Sequence, residues 1–391
     1  MSVSGGKKII VAMSGGVDSS VAALLLRQKG CECIGVSMQV WDYRSNGGCS
    51  SRATCCAPDD FTDARKVAAR VGIPYYVFDF EDSFRDKVIA KFVRSYSSGI
   101  TPNPCVDCNS KVKFLELRRR AAAMSGGEVA TGHYARIEKR GDELKLLRGR
   151  DRAKDQSYFL YGLKRNELAQ THFPVGHLTK SEVREIAKQH GLATAEKPES
   201  QDICFVTGTV GEFLSRAGEK SRPGEIVTIS GGHVGYHDGI HNFTVGQRRG
   251  LNLGGNEEPL YVLELDASAN QVIVGSKREL ERPQFRVGEL NWLSEEAEKE
   301  FASKRSGYQL ECIVQVRSRH AGAPARITIG ENGEAVVTFL SSPATVSPGQ
   351  AAVFYDRDNE VVIGGGRIAL QNGSLRVVGN RATPQPASAD R

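Results

Sequence analysis

The chain has 391 residues, 40% hydrophobic and 25% charged; at roughly 150 residues per domain this predicts two to three globular domains and excludes a disordered chain. Fifty-two basic against 46 acidic residues give a net charge of +6, which permits a polyanionic partner without specifying one, and the longest uncharged apolar run near the start, Val21 to Leu26, is far short of the roughly 20 residues of a membrane span. Lys7 and Lys8 lead into a strand-like run and glycines, not a signal peptide, so a cytoplasmic protein is expected and nine cysteines raise metal or thiol chemistry above a disulfide framework.

Lys8 to Met13 is a short apolar run with β-branched residues, read as a strand that ends at Gly15-Gly16. Asp18 to Lys29 places Val21, Leu24 and Leu25 at helix spacing, and Gly30 stops it. Cys33 to Met38 reads as a strand, Phe61 to Val71 as a helix and Tyr75 to Phe80 as a third strand. Asp82 to Tyr96 and Lys111 to Met124 read as helices, and Glu128 to Thr131 as a buried strand. This alternation predicts an α/β domain: a doubly wound parallel sheet with helices on both faces. From about Gly208 short β-branched runs take over, among them Ile226 to Ile229, Tyr261 to Leu265, Gln271 to Val274, Glu311 to Val316, Arg326 to Ile329, Ala335 to Phe339 and Ala352 to Tyr355. They predict antiparallel β structure in two modules with a seam at Arg282-Pro283. The expected division is 1–207, 208–283 and 284–379, with 380–391 a Pro-, Ala- and Ser-rich disordered tail.

Ser14-Gly15-Gly16-Val17-Asp18-Ser19-Ser20 lies between the first strand and the first helix. Glycines let backbone approach a phosphate, and helix N-terminal N–H groups favour its charge. The loop has neither a Gly-Lys-Ser/Thr ending nor GxGxxG, which argues against a Walker loop or a dinucleotide site. The bland alternative is a glycine turn with Asp18 as helix cap. SGGxDS after the first strand resembles the signature of PP-loop ATP pyrophosphatases. That resemblance implies ATP cleavage between the α- and β-phosphates and adenylation of a substrate oxygen.

Cys105-Val106-Asp107-Cys108 sits in Thr101-Pro102-Asn103-Pro104-Cys105-Val106-Asp107-Cys108-Asn109-Ser110-Lys111. The prolines predict an extended loop ahead of a helix beginning near Ser110. A cysteine just before a helix has its thiolate, and so its reactivity, favoured. Cys204 is flanked by Ile203 and Phe205 after a polar loop. A lone CxxC is weak support for zinc; Cys49, Cys55 and Cys56 would have to supply the other ligands from a Ser/Gly-rich loop. Cys31, Cys33 and Cys312 read as small apolar core residues.

Nearly the whole chain resembles the tRNA-specific 2-thiouridylases of the MnmA family. The resemblance rests on SGGVDSS, the TPNP-x-x-x-CN segment, Ala130-Thr131-Gly132-His133-Tyr134, Lys154-Asp155-Gln156-Ser157-Tyr158-Phe159-Leu160, Asp202-Ile203-Cys204-Phe205, Gly246-Gln247-Arg248-Arg249-Gly250-Leu251 and Pro348-Gly349-Gln350-Ala351. It implies ATP, with Mg2+, cradled by Ala12, Met13, Ser14, Gly15, Gly16, Val17, Asp18 and Ser19, with Met38 and Gly132 on the adenosine side. Cys108 would be the nucleophile and Cys204 the persulfide carrier, the two closing a transient Cys108–Cys204 disulfide. Asn103, Pro104 and Cys105 would lie beside the target base, and Lys154, Asp155, Gln156, Arg317 and Ser318 would contact tRNA. The partners implied are tRNA and a cysteine desulfurase or sulfur-relay protein, with the enzyme monomeric. The third domain is expected as a C-terminal antiparallel β-barrel.

Two positions depart from the family pattern. Cys105 stands where many members have Asp, so Cys105, Cys108 and Cys204 together suit a [4Fe-4S] cluster with one open iron. Ser318 stands where relatives often have Tyr, which removes a stacking group. Arg136 to Lys154 carries eight basic residues against four acidic ones, a stretch suited to tracking phosphates or simply to a solvated face. The competing functions are another PP-loop ligase, of the argininosuccinate or GMP synthesis type, and an RNA-binding or sulfur-carrier protein with an inactive ATP loop.

Overall fold

The computed structural model describes residues 8–41, 58–125, 127–199, 203–206, 208–254, 258–303, 308–330, 333–341 and 343–370. Cys49, Cys55, Cys56, Asp202 and the C-terminal tail lie outside these residues. Among the described residues no helix is long and apolar enough to cross a membrane.

The first domain is built on a parallel sheet. Strands β1 (Lys8–Ala12), β2 (Glu32–Gln39), β3 (Tyr75–Asp79) and β4 (Glu128–Ala130) lie in the order β3-β2-β1-β4, and Thr171–His172 adds an edge strand beside β4. Successive side chains on β1 point to opposite faces. Ile9 and Val11 therefore enter one apolar cluster with the helices α1 (Val17–Gln28), α2 (Pro58–Val71) and Lys180–Gln189. Ile10 enters another cluster with Phe84, Phe92 and Leu117. Both faces are covered, as a parallel sheet requires, so the doubly wound expectation holds.

The thiol-bearing segment differs from its expected form. A helical turn spans Pro104–Asp107, passes into a π-helical turn at Cys108–Lys113, and continues as Leu115–Ser125. Pro104 is the reason for the early start, because at the first helical position its missing N–H costs nothing. Arg118, Arg119 and Arg120 lie inside the Leu115–Ser125 helix. Arg118 donates to Thr171 Oγ1 at 2.9 Å, and Arg120 lies over the rings of Phe78 and Phe80.

The central module has strands Gly224–Thr228, His233–His237, Tyr261–Asp266 and Gln271–Gly275. Gly224–Thr228 and Gln271–Gly275 are parallel neighbours, whereas the outer pairs are antiparallel. This corrects the all-antiparallel expectation: period-2 alternation is the same for either direction, so direction is not encoded locally. Helical texture also persists past Gly208, in Val210–Arg216 with its Thr209–Glu212 capping box. The C-terminal module is a closed six-stranded antiparallel barrel in the order Gln284–Trp292, Ala335–Phe339, Ala323–Ile329, Gln309–Gln315, Ala351–Tyr355, Val362–Ile368.

The barrel docks on the α/β domain through a shared apolar cluster that joins Val106, Phe114, Tyr158 and Tyr161 to Leu293, Val353 and Tyr355. At its edge Arg148 donates to Asp155 at 2.6 Å, to Gln315 at 2.9 Å and to Asn359 at 2.7 Å. Its guanidinium sits 3.6 Å above the Tyr355 ring. The Arg148 and Asp155 side chains are 8% and 5% exposed, so removing one partner strands a buried charge. Arg148→Met is expected to cost about 3–5 kcal/mol. Denaturant unfolding followed at Trp292, which packs on Phe301 and Phe354 inside the barrel, checks it; an unmoved midpoint would contradict the docking role.

Candidate active site

The loop between β1 and α1 lies at the C-terminal ends of the parallel strands, where α/β sheets bind ligands. The hydroxyls of the loop brace it from within. Ser14 N–H donates to Ser19 Oγ at 3.2 Å, and the Ser19 and Ser20 hydroxyls both donate to the Gly16 carbonyl, at 3.1 and 2.8 Å. Gly15 has φ +72°, and a Cβ there would fall 2.8 Å from the Asp60 carbonyl carbon. Gly132, just past β4, lies flat against the start of α1: a Cβ would stand 2.5 Å from Ser19 N and 2.7 Å from the Asp18 carbonyl carbon. Ala12 at the end of β1, the turn Met13, Ser14, Gly15 and Gly16, and Val17, Asp18 and Ser19 opening α1 are thus continuous, with Gly132 against them. Met38 lies on the C-terminal half of the adjacent β2.

Asp18 opens a chain of charges that local sequence did not reveal. Lys180 Nζ bonds both its carboxylate oxygens, at 2.7 and 2.9 Å, and Tyr134 Oη donates to it at 2.7 Å. Lys180 also pairs with Glu199 at 2.8 Å, and Lys154 pairs with Glu199 at 2.7 Å. Burial alone would raise the Glu199 pKa, but hydrogen bonds from Lys154 and Lys180 outweigh it and hold the carboxyl down to about 2. A depressed carboxylate contributes its full stabilisation above the ordinary carboxylate range, and that contribution declines as pH falls below that range and is gone once pH passes about 2. Burial and the neighbouring Asp18 carboxylate push the Tyr134 phenol up, keeping it a neutral donor.

The residues expected at the tRNA divide by burial. Lys154 is at the surface, held by Glu199. The Asp155 side chain faces inward, accepting from Arg148, from the N–H groups of Gly149 and Ser157, and from the Ser157 hydroxyl. Gln156 exchanges hydrogen bonds with the Tyr134 backbone. In this structure Asp155 and Gln156 shape the turn whose surface Lys154 presents. Arg317 and Ser318 are exposed on the barrel, where Gln315 Nε2 donates to both their carbonyls at 3.1 Å. The basic stretch is a hairpin, Ala135–Arg140 with Glu143–Arg148. Arg136 pairs with Glu138 and Glu360, Lys145 with Glu143, Arg150 with Glu182 and Arg152 with Glu360. Much of the charge read as phosphate-tracking is therefore engaged within the protein.

Cys108 is buried and Cys204 half-buried in one apolar cluster with Phe84, Phe92, Phe205 and Phe213. Cys105 is exposed one turn earlier on the Cys108 helix. Asn103 and Pro104 are buried, so of the segment expected beside the base Cys105 is the part at the surface. Among the described residues no group of three His, Cys, Asp or Glu side chains is placed to hold a metal. Cys105, Cys108 and Cys204, as they stand, do not fit a three-thiol cluster site. Burial pushes Cys33 up to about 11 and Cys312 up to about 12 and raises Cys31, which keeps these thiols protonated and matches their reading as core residues. His133 packs between Phe114 and Phe173 and is within 2.7 Å of Thr131 Oγ1. Burial, with Lys113 nearby, pushes it down to about 3, so it is neutral near pH 7.

A parallel sheet with an SGGVDS turn after β1 and two thiols in one apolar cluster of the same domain defines the class: a PP-loop α/β domain carrying two β modules. Family models match in three blocks: the tRNA methyl transferase HUP domain over residues 7–208, the tRNA methyl transferase PRC-barrel domain over 211–276 and the aminomethyltransferase beta-barrel domain over 282–368. The chain is 47% identical over 367 residues to the tRNA-specific 2-thiouridylase MnmA of Geobacter metallireducens, covering 93% of this chain and 96% of that one. It is 45% identical to the Methylobacterium radiotolerans protein of that name, over 92% of this chain and 93% of the relative. It is 42% identical to that of Rhodospirillum centenum, over 98% and 94%. A solved 4-thiouridine synthetase–RNA complex with bound ATP overlaps 54% of this chain and 50% of its own at 16% identity and a TM-score of 0.31, too distant to add to this. The chain belongs to the MnmA family of tRNA-specific 2-thiouridylases.

Proposed function

We propose that this protein uses ATP to replace the 2-oxygen of the wobble uridine of glutamate, glutamine and lysine tRNAs with sulfur. The observation that carries the reading is the pairing of two thiols 96 positions apart, Cys108 and Cys204, in one apolar cluster of the domain that bears the loop. Methyl transfer, the activity in the names of two of the matching family models, calls on neither a pyrophosphatase loop nor paired thiols.

A carbonyl oxygen is a poor leaving group. The uridine 2-oxygen attacks the α-phosphate of ATP, pyrophosphate leaves, and the oxygen departs later as AMP. Loop N–H groups and the start of α1 suit the phosphates. Asp18 is the carboxylate at the loop, and one carboxylate with substrate phosphates is a donor set that Mg2+ accepts. The sulfur arrives on Cys204 as a persulfide, from a cysteine desulfurase or a relay protein. Its terminal sulfur attacks C2 and expels AMP. The Cys108 thiolate then attacks the Cys204 sulfur, freeing 2-thiouridine and forming the Cys108–Cys204 disulfide, which a thiol reductant must reopen. An anticodon loop presents the base unpaired, so extruding it is cheap. The protein acts as a monomer in this scheme.

The test is ATP-dependent thiolation of defined tRNA under anaerobic conditions, with a persulfide donor. AMP and 2-thiouridine are expected together and only with tRNA present. AMP formation indifferent to tRNA, or no 2-thiouridine, overturns the reading. Iron measured beside activity separates it from the three-thiol cluster: the persulfide route is expected to run at a rate independent of iron content.

A further inference from the structure

The turn that carries Cys105 and Cys108 is held from the barrel by an ion pair that the reaction scheme does not use. Asp107 lies between the two cysteines, and its side chain is 5% exposed. Three cations surround it. Arg367 Nη2 bonds Oδ2, Lys111 Nζ stands 3.2 Å from Oδ1 and Lys91 Nζ 3.4 Å from it. Arg367 lies on the last barrel strand with its side chain 10% exposed. Its Nη1 donates to the carbonyls of Asn103 at 3.3 Å and Gly349 at 3.2 Å. One guanidinium thus binds both ends of the Asn103–Asp107 turn. The barrel loop closes on the preceding residues: Thr101 N–H donates to Pro348 O at 3.1 Å, and Gln350 Nε2 donates to Thr101 O at 2.9 Å. A Cβ on Gly349 would fall 2.9 Å from Thr101 O. Lys91 completes a second bridge, 3.0 Å from Glu289, which takes φ 48° beside an irregularity in the first barrel strand.

A buried ion pair is a poor source of stability, since desolvation offsets much of its attraction. Its strength is direction. A guanidinium has fixed N–H vectors, and Arg367 uses them on one carboxylate and two carbonyls. A side chain held this way fixes the phase of its helical turn, and Cys108 is the next residue. We infer that Arg367 is a positioning residue for sulfur transfer. Acting through Asp107, it sets the Cys105–Cys108 turn against the cluster that holds Cys204, so the thiol step depends on the docked barrel while adenylation at the loop does not. This rests on the roles proposed above for Cys108 and Cys204.

Arg367→Met and Asp107→Asn are the variants, with Arg367→Lys as partial rescue and the double variant as control. In a single turnover with tRNA, Arg367→Met is expected to release pyrophosphate at close to the wild-type rate, while free 2-thiouridine per pyrophosphate falls about tenfold or more. Arg367→Lys is expected to recover part of that yield, and the double variant to lose no more than the worse single one, as members of one unit do. Pyrophosphate and 2-thiouridine falling in step, with a lowered melting temperature, would reduce Arg367 to a structural role and overturn the inference; so would an unchanged yield. Asp107→Asn keeps the side-chain shape and serves if Arg367→Met does not fold. Iodoacetamide labelling of Cys108, read by peptide mass, needs no activity and so separates this inference from the proposed function. Arg367→Met is expected to label several-fold faster than wild type, and equal labelling rates overturn the positioning role even if the enzyme proves to make another product.

Discussion

Serine at Cys108 or at Cys204 is expected to lower 2-thiouridine formation on the order of a thousandfold or more, with tRNA binding nearly unchanged. A hydroxyl neither holds a persulfide nor attacks a disulfide near pH 7. The two variants should fail at different points. With Cys204→Ser no sulfur is carried and no covalent species forms. With Cys108→Ser the persulfide still attacks C2, and the product stays joined to Cys204 through sulfur because no thiol resolves it. A reductant-sensitive protein–tRNA adduct on a gel is the distinguishing signal. Wild-type-like 2-thiouridine from Cys204→Ser would refute its role. Sustained ATP turnover by Cys108→Ser at the wild-type rate, with neither 2-thiouridine nor the adduct formed, would point to a PP-loop ligase without thiol chemistry. Phe205 and Phe213 pack in the same cluster as the two cysteines, so burial of these thiols is a packing property and the serine changes are small in volume.

Gly132→Ala is expected to reduce tRNA-dependent AMP formation about a hundredfold, equivalent to about 2.7 kcal/mol in the barrier. The position needs no left-handed backbone; it needs space. A methyl group there meets the Ser19 nitrogen at 2.5 Å and the Asp18 carbonyl carbon at 2.7 Å. These are main-chain atoms, so relief requires moving the first turn of α1, whose N–H groups face the phosphates in the proposed complex. Isothermal titration with a non-hydrolysable ATP analogue checks the cause: affinity for nucleotide should fall with the rate, while the melting temperature moves far less. Normal nucleotide affinity would place the defect elsewhere.

What was legible beforehand had short range. KIIVA alternates, two glycines follow, and Asp18 opens a helix-period run, so β1, the loop and α1 could be drawn within 22 residues of chain. The loop chemistry follows from that contiguity. The Asp18 partners were not legible, because Tyr134 and Lys180, the latter shared with Glu199, reach it only when β4, the following turn and the Lys180–Gln189 region fold over the sheet end. A lysine opening a helix has no local mark that distinguishes it from a solvated one. The basic hairpin misled for the same reason in reverse: its charge was visible, but Glu360, which takes up Arg136 and Arg152, arrives from the barrel.

The two prolines ahead of Cys108 predict a loop, whereas Pro104 opens a helical turn, since the first helical position is where proline is tolerated. The parallel pair in the central sheet was hidden because alternation carries no direction.

By itself, then, the sequence determined the α/β character, the phosphate-binding turn and, through resemblance, which two cysteines to watch, since backbone conformation and side-chain period are set by neighbouring residues. The tertiary structure alone decided which charges remain for an RNA, that Asp155 points inward, and that Arg367 grips the thiol-bearing turn. Those depend on pairing free energies between groups up to 264 residues apart, and a partner at that distance leaves no imprint on the local pattern.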